Sequence, residues 1–349
     1  MTVRERTRVA APMAKPVVLV TGCSGLIGGR LGRALGDSFT VVGLDGEPPD
    51  DAADYDWFEC DLDEDDSIAA TLRKVRQRHG GAITSAIDLS GYRDGDFNGQ
   101  ANSVEQTRRL LRELEQLQVE QFVHVRNLLV VKPADESEGP LIEEDLEEAV
   151  IRRHHGPIPA VILRIGGVYD EDCHSAPISQ EMRRIYERRP ESYLLPGDPH
   201  HGRPFVHLDD LTDCFRKVIE RRDDLGAFES FPIAEPDVMS EQEMQDWLGH
   251  YVHGRGWPAI HLPKRLAKVG AWARDRLGGG ETFLKAGMID LADAHHAVDI
   301  RRAHERLNWR PKRRLHDTLG DMVRGLQSDP IRWYSVHHFP IPEELAVAV

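Results

Sequence analysis

Cysteine is scarce in this 349-residue chain, and the four present, Cys23, Cys60, Cys173 and Cys214, lie far apart without C-x-x-C spacing. That excludes a disulfide framework and a zinc site, and fits a reducing, cytoplasmic setting. Basic residues are also in deficit, 44 against 59 acidic ones, and the net charge of −15 argues against nucleic acid and anionic membranes as partners. No apolar run approaches the roughly 20 residues of a bilayer span, so a soluble protein is expected. Residues 1–15 carry Arg4, Arg6 and Arg8 with no apolar stretch after them; they read as a disordered arm, not a signal peptide. The histidine pairs at 154–155, 200–201, 295–296 and 337–338 share no ligand spacing, and no metal is expected.

Near the start, Val17 to Val20 form a short apolar run that reads as a buried strand, broken by Thr21 and Gly22, with a helix from Leu26 onward. Gly22, Gly25 and Gly28 make G-x-x-G-x-x-G at the turn, through Cys23, Ser24, Leu26 and Ile27. Glycines there let the backbone approach a ligand, and the helix behind them offers free N–H groups and a positive dipole end, favourable to phosphate. A second strand, Phe39 to Asp45, follows and ends in an acid at the spacing of a ribose partner. A carboxylate there accepts from a 2′-hydroxyl and repels a 2′-phosphate, and Gly43, Leu44 and Gly46 supply no compensating arginine, so NAD is the cofactor expected. Cys23 reads as small-residue filler in the turn, with a thiol pKa lowered by the helix dipole as the alternative.

Strand and helix signals then alternate: Trp57–Leu62, a helix 67–78, the strand Ala82–Leu89, a helix 102–117, the strand Gln121–Val131, a helix 142–153 and the strand Ile158–Ile165. Single helices between strands imply parallel pairing, hence an α/β, Rossmann-type doubly wound sheet with a smaller C-terminal α/β region. The boundaries read as an arm at 1–15, an NAD-binding domain at 16–170, a mainly substrate-binding region at 171–327 and a tail at 328–349. In that region Asp209 and Asp210 open a helix, and Ser240 with Glu243 forms a capping box. Leu262 to Leu277 reads as a basic amphipathic helix, suited to covering a cleft or, as the alternative, to a membrane surface.

The residues Thr21–Gly28, Asp61-Leu62, Ile87–Gly91, Leu163–Tyr169, Gly202–Asp210 and Leu307–Pro311 occur in the order of motifs in the extended short-chain dehydrogenase/reductases, and the chain resembles their NAD-dependent epimerase/dehydratase family over about residues 16 to 326. The resemblance implies that Gly22, Gly25 and Gly28 hold the pyrophosphate and Asp45 the adenosine ribose. It further implies that Asp61 and Leu62 flank adenine, and that Leu89, Ser90 and Gly91 line the path to nicotinamide.

The family's catalytic groups are missing. Arg126 and Asn127 stand in the serine stretch, and no tyrosine lies between Val131 and Arg164, so the usual Tyr-x-x-x-Lys has no counterpart. Tyr92, next to Arg93, is the first candidate for a replacement acid/base group, with Arg126 and Asn127 facing it; a solvated loop is the alternative. Arg183, Arg184, Arg203 and His207 are candidates for an anionic substrate group, with surface ion pairs as the alternative. Two classes stay open: an enzyme acting on a sugar nucleotide or other small hydroxyl or keto substrate with a non-standard acid/base group, and a silent NAD-binding relative with a structural or sensor role. The partner expected is a small molecule; a homodimer is left open.

Overall fold

The computed structural model describes residues 14–49, 55–90, 92, 100–128, 146–262 and 297–346. Its strands are β1 (Val17–Thr21), β2 (Thr40–Asp45), β3 (Asp56–Glu59), β4 (Ala82–Ile83), β5 (Ser85–Asp88), β6 (Gln118–Val119), β7 (Phe122–Asn127), β8 (Ala160–Ile165), β9 (Gly167–Tyr169), β10 (Leu194–Pro196), β11 (Phe205–His207), β12 (Phe228–Ile233) and β13 (Ile260–Leu262). The helices used below are α1 (Leu26–Leu35), α2 (Asp65–His79), α3 (Gln100–Leu114), α4 (Leu146–His154), α5 (Ala176–Tyr186), α6 (Leu208–Glu220) and α7 (Glu241–His253). Among the described residues no helix is long and apolar enough to cross a membrane.

Seven strands form one parallel sheet in the order β12-β8-β7-β5-β1-β2-β3. The chain winds outward in one direction from β1 to β3 and in the other from β5 to β12, so the order reverses between β1 and β5. Such a reversal leaves a crevice at the carboxyl ends of the two strands. Side chains alternate across the sheet, as strand geometry requires. Val18 and Val20 of β1 pack with Leu31, Leu35, Leu211 and Phe215 on the α1/α6 face. Val17 and Leu19 pack with Ile68, Leu72, Leu110 and Phe122 on the α2/α3 face.

The structure corrects the strand read over Ala82–Leu89, which is broken at Thr84. Thr84 donates its N–H to Val17 O at 2.8 Å, and the chain passes from pairing with Gln118–Val119 in β4 to pairing with β1 in β5. The sheet also extends past residue 170: β12 pairs with β8 in continuous parallel register from Phe228↔Ala160 to Ile233↔Ile165. The alternation of buried and half-buried residues along β12 marks it as the outer strand of that side.

A separate C-terminal core gathers Tyr169, Met182, Leu248, Trp257, Leu319 and Tyr334. α7 opens with the expected capping box, Ser240 and Glu243 bonding each other's backbone N–H, and closes on Gly254 in the left-handed region. The segment Leu307–Pro311 is pinned to α6: buried Trp309 donates its indole N–H to Asp210 O at 2.9 Å, and Asp210 Oδ2 accepts the N–H groups of Lys312 and Arg313 at 2.8 Å each. The arm at 1–13, the segment 263–296 and residues 347–349 lie outside the described residues, as do Gly91, Arg93 and 129–145.

Candidate cofactor site

The turn after β1 is built from backbone. Gly22 adopts φ +68°, which favours glycine, and a Cβ on it comes to 3.2 Å from Leu89. A Cβ on Gly28 meets Gly22 O at 2.4 Å and Cys23 Cα at 2.6 Å, so that glycine lets α1 begin directly against the turn. Gly25 differs: its Cβ meets only Gly22 O, at 3.5 Å, and this side of the turn is open. Gly25 is the N-cap of α1, whose first turn carries neither a side-chain cap nor an acid. Its amide donors are therefore left for a ligand, the usual setting for a phosphate. From the far side, buried Tyr55 donates its hydroxyl to Gly28 O, a support that the sequence reading missed because it comes from a loop between strands.

Asp45 ends β2 beside this turn, and its Oδ2 accepts both the N–H (2.9 Å) and the hydroxyl (2.7 Å) of Ser24. A carboxylate is thus fixed next to the glycine turn, where a ribose hydroxyl can donate to its remaining lone pairs. Asp61 and Leu62 follow β3, with Asp61 exposed, Leu62 half-buried, and Cys60 N–H bonded to Asp45 O at 3.0 Å. The arrangement fits a dinucleotide: an open turn with free donors, then an anchored acid, then a strand end on the same rim.

Cys23 is filler, as the sequence reading prefers, and the alternative of a dipole-activated thiol drops out. It is fully buried, a Cβ on Gly43 reaches its Sγ at 2.6 Å, and burial, with the charge of Asp45, pushes its thiol up to about 12.

On the other side of the reversal, Leu89 is buried and donates its N–H to Thr21 O at 3.3 Å, joining the ends of β1 and β5. Ser90 donates its hydroxyl to Asp88 Oδ1 at 2.6 Å. Asp88 is fully buried, and so is His124, whose Nδ1 lies 3.1 Å from Asp88 Oδ2. Burial favours the neutral carboxyl, but the bond and charge of His124, with Ser90 and Thr21, outweigh it and hold Asp88 below the usual carboxylate range.

Tyr92 is half-buried and packs against the core layer that contains Leu89 and Val125. Its N–H bonds Leu89 O at 3.0 Å, so the tyrosine is held at the end of β5 by a turn and does not trail into solvent. Arg126 and Asn127 do not face it together, which corrects the sequence reading. Successive residues of β7 point to opposite faces, so Asn127 shares the face of Val125, and Arg126, 7% exposed, shares the face of His124 beside its register partner Arg164.

The substrate candidates are also divided. Arg203 lines a cavity of about 370 Å³ together with Phe205, Glu235, Trp247 and Arg314. Its Nε donates to Glu241 at 3.0 Å. His207 is buried and its Nδ1 caps α6 by accepting Asp209 N–H at 3.1 Å, while Nε2 lies 3.3 Å from Glu171. Arg183 is not at this cavity: it pairs with Glu187 at 2.8 Å and lies over the ring of Phe339 at 4.7 Å in the C-terminal core. Arg184 pairs with Glu181, and burial brings its guanidinium down to about 9.

Glu235, missed in the sequence because it follows an unrecognised strand, is 4% exposed in the wall of that cavity. Its carboxylate accepts the Tyr169 hydroxyl at 2.7 Å and Leu315 N–H at 3.1 Å. One group of metal-ligand types also escaped the search for histidine pairs. Asp170, Asp172 and His174 bring ligand atoms within 4.8 Å of one another, and His174 Nδ1 is 2.7 Å from Asp170.

No curated protein matches the chain significantly. Residues 18–157 match the NAD dependent epimerase/dehydratase family. Among solved structures, an epimerase from the methanogen Methanothermobacter thermautotrophicus superposes with a TM-score of 0.64 at 16% identity, over 92% of this chain and 95% of that one. MoeE5, in complex with UDP-glucuronic acid and NAD, gives 0.62 at 19% identity over 89% and 99%. A UDP-glucose 4-epimerase from Thermotoga maritima, with UDP-glucose, gives 0.62 at 15% identity over 89% and 99%. At these identities the likeness is one of fold. Over residues 18–157 the chain is thus similar to the NAD dependent epimerase/dehydratase family, and as a whole it has the Rossmann-like α/β fold of the solved epimerase structures.

Proposed function

We propose that this chain binds NAD at the β1/β5 reversal and acts on a sugar nucleotide or similar hydroxyl or keto substrate, through an acid/base group other than the family's serine and Tyr-x-x-x-Lys. The observation that carries the reading is the pairing of an open glycine turn with Asp45, which is anchored by Ser24 at 2.7 and 2.9 Å. A chain without need of a dinucleotide has no reason to fix an acid at that point. Supporting it, MoeE5 and the Thermotoga maritima epimerase carry nucleotide sugars on this fold. The cavity beside Arg203 and Arg314 is of a size that small-molecule sites have.

In this reading the amides of the Gly22–Gly28 turn hold the pyrophosphate, Asp45 the ribose hydroxyls, Asp61 and Leu62 the adenine edge, and Leu89 and Ser90 the nicotinamide side. NAD supplies the hydride acceptor when bound. The chain's own part is to fix that orientation and to move a proton, and Tyr92 is the first candidate for the latter.

The second reading, a silent NAD-binding relative, is favoured by one observation: Arg126, 7% exposed, occupies the serine stretch. Mass spectrometry of the nucleotide that co-purifies from anaerobic preparations, followed by turnover assays with UDP-glucose and UDP-glucuronic acid, tests both. NAD with turnover that falls at least tenfold in Tyr92→Phe supports the enzyme. NAD without turnover supports the silent relative, full activity in Tyr92→Phe moves the proton step to another residue, and absence of any dinucleotide removes both.

A further inference from the structure

The strand ends that meet at the reversal are tied to one another through a single side chain. Asp88, the last residue of β5, accepts from four others, each on a different segment. The hydroxyls of Thr21, at the end of β1, and of Ser90, beyond β5, reach Oδ1 at 2.6 Å each, joined by the Ser90 N–H at 3.2 Å. The hydroxyl of Thr107 on α3 reaches Oδ2 at 3.2 Å, and Nδ1 of His124 on β7 lies 3.1 Å from the same oxygen. Its strand neighbours Ala86 and Ile87 are ordinary core residues. A carboxylate wholly removed from water is tolerated only when it is paired and hydrogen-bonded, and His124 with three hydroxyls meets that demand.

We propose that Asp88 is the positioning residue of the cofactor site, turning the Ser90 hydroxyl so that it faces the dinucleotide as an acceptor, and holding the Gly22 turn against the end of β5. The proposal rests on the reading that the turn binds NAD. A hydroxyl has one proton and two lone pairs. An ionised carboxylate accepts and never donates, so the 2.6 Å bond commits the Ser90 proton to Asp88 and leaves its lone pairs free. The groups on the nicotinamide side of the cofactor that can use them are donors, the ribose hydroxyls and the carboxamide N–H.

Thr21 carries the second effect. It immediately precedes Gly22, whose backbone lies so close to β5 that an added Cβ meets Leu89 at 3.2 Å and Ser90 N at 3.3 Å. Any shift of Thr21 is therefore passed to the phosphate turn. In this way one carboxylate sets the two halves of the site against each other.

The test uses Ser90→Ala, Asp88→Asn and the double variant, with circular dichroism as the check on folding. Calorimetric titration with NAD⁺ should show about tenfold weaker binding in Ser90→Ala, the loss of one hydrogen bond. Asp88→Asn should weaken binding at least as much, because a side-chain amide can donate to Ser90 and reverse its hydroxyl. The double variant should be no worse than Asp88→Asn alone, since the Ser90 bond is already gone. Without cofactor, hydrogen exchange at the Gly22 and Ser90 amides should be faster in Asp88→Asn than in the parent, and unchanged at Gly22 in Ser90→Ala.

Native affinity in Ser90→Ala, or losses in the double variant that add, refutes the orienting role. Unchanged exchange in Asp88→Asn refutes the clamp. If the parent chain binds no NAD⁺ while Asp88→Asn still speeds exchange at both amides, the clamp stands and the cofactor reading fails. Should Asp88→Asn not fold, Thr21→Val, of nearly the same shape, removes the Thr21 bond to Oδ1 and tests the clamp by hydrogen exchange at Gly22, while Ser90→Ala tests the orienting role by calorimetry.

Discussion

Replacing Gly25 with valine separates the proposed phosphate site from the fold. Gly25 has φ −74° and ψ 170°, ordinary extended values open to any L residue. A Cβ there meets only Gly22 O, at 3.5 Å, so the folded chain can accommodate it. The cost to stability is that of changing a helix cap, about 1 kcal/mol or less. The cost to binding is larger, because the branched side chain stands over the free amides of the first turn. Bonds to a charged group contribute roughly 1.5–3 kcal/mol each, so losing two weakens the dinucleotide by about 10²–10⁴-fold. Gly28→Ala is the reverse control, since its methyl group meets backbone at 2.4 and 2.6 Å. Overpacking of that kind costs about 1–3 kcal/mol and lowers Tm by roughly several degrees. Calorimetry with NAD⁺ and thermal unfolding of both variants give the two readings. The reasoning fails if Gly25→Val binds within about threefold of the parent, or if it loses as much Tm as Gly28→Ala.

Asp45 predicts that NAD(H) binds more tightly than NADP(H) and that Asp45→Ala narrows the gap; equal affinities in the parent chain refute the charge argument. Glu235 predicts a pH effect: burial, opposed by the Tyr169 bond, pushes its carboxyl up to about 7 from an ordinary 4.5. The folded chain then keeps a proton that the unfolded chain releases first, so this stabilising contribution is present below pH 4.5 and is lost as pH rises toward 7. The amount is about 3 kcal/mol at most. Glu235→Gln should flatten the profile of Tm against pH in that window, and an unchanged slope counts against the assignment. Asp210→Ala removes the acceptor shared by the Lys312 and Arg313 amides and should cost about 1–3 kcal/mol by denaturant unfolding, with an unchanged midpoint as the refuting result.

The glycine turn was legible because everything that makes it is local: a run of apolar residues, a glycine able to take φ +68°, and a helix whose N-terminus follows within a few residues. The capping box Ser240–Glu243 was legible for the same reason, two side chains one helical turn apart. The Arg126-Asn127 substitution was visible as composition, but its meaning was not. Only the pleat of β7 decides that Arg126 and Asn127 face opposite ways.

What tertiary structure alone decided is which distant residues share a strand end. Asp88 and His124 are 36 residues apart and meet because β5 and β7 pair in parallel with Asp88 opposite His124. Glu235 gained its buried place because β12 joins the sheet beside β8, carrying the residues after it over Tyr169. Periodicity along a chain reports the face a residue occupies within its own element. The order and register of parallel strands are set by how separate helices pack over the sheet, and no local pattern encodes them. The sequence by itself therefore determined the glycine turn, the acid at the end of β2 and the lack of any tyrosine between Val131 and Arg164. The sheet determined the buried carboxylate that joins the two sides of the site.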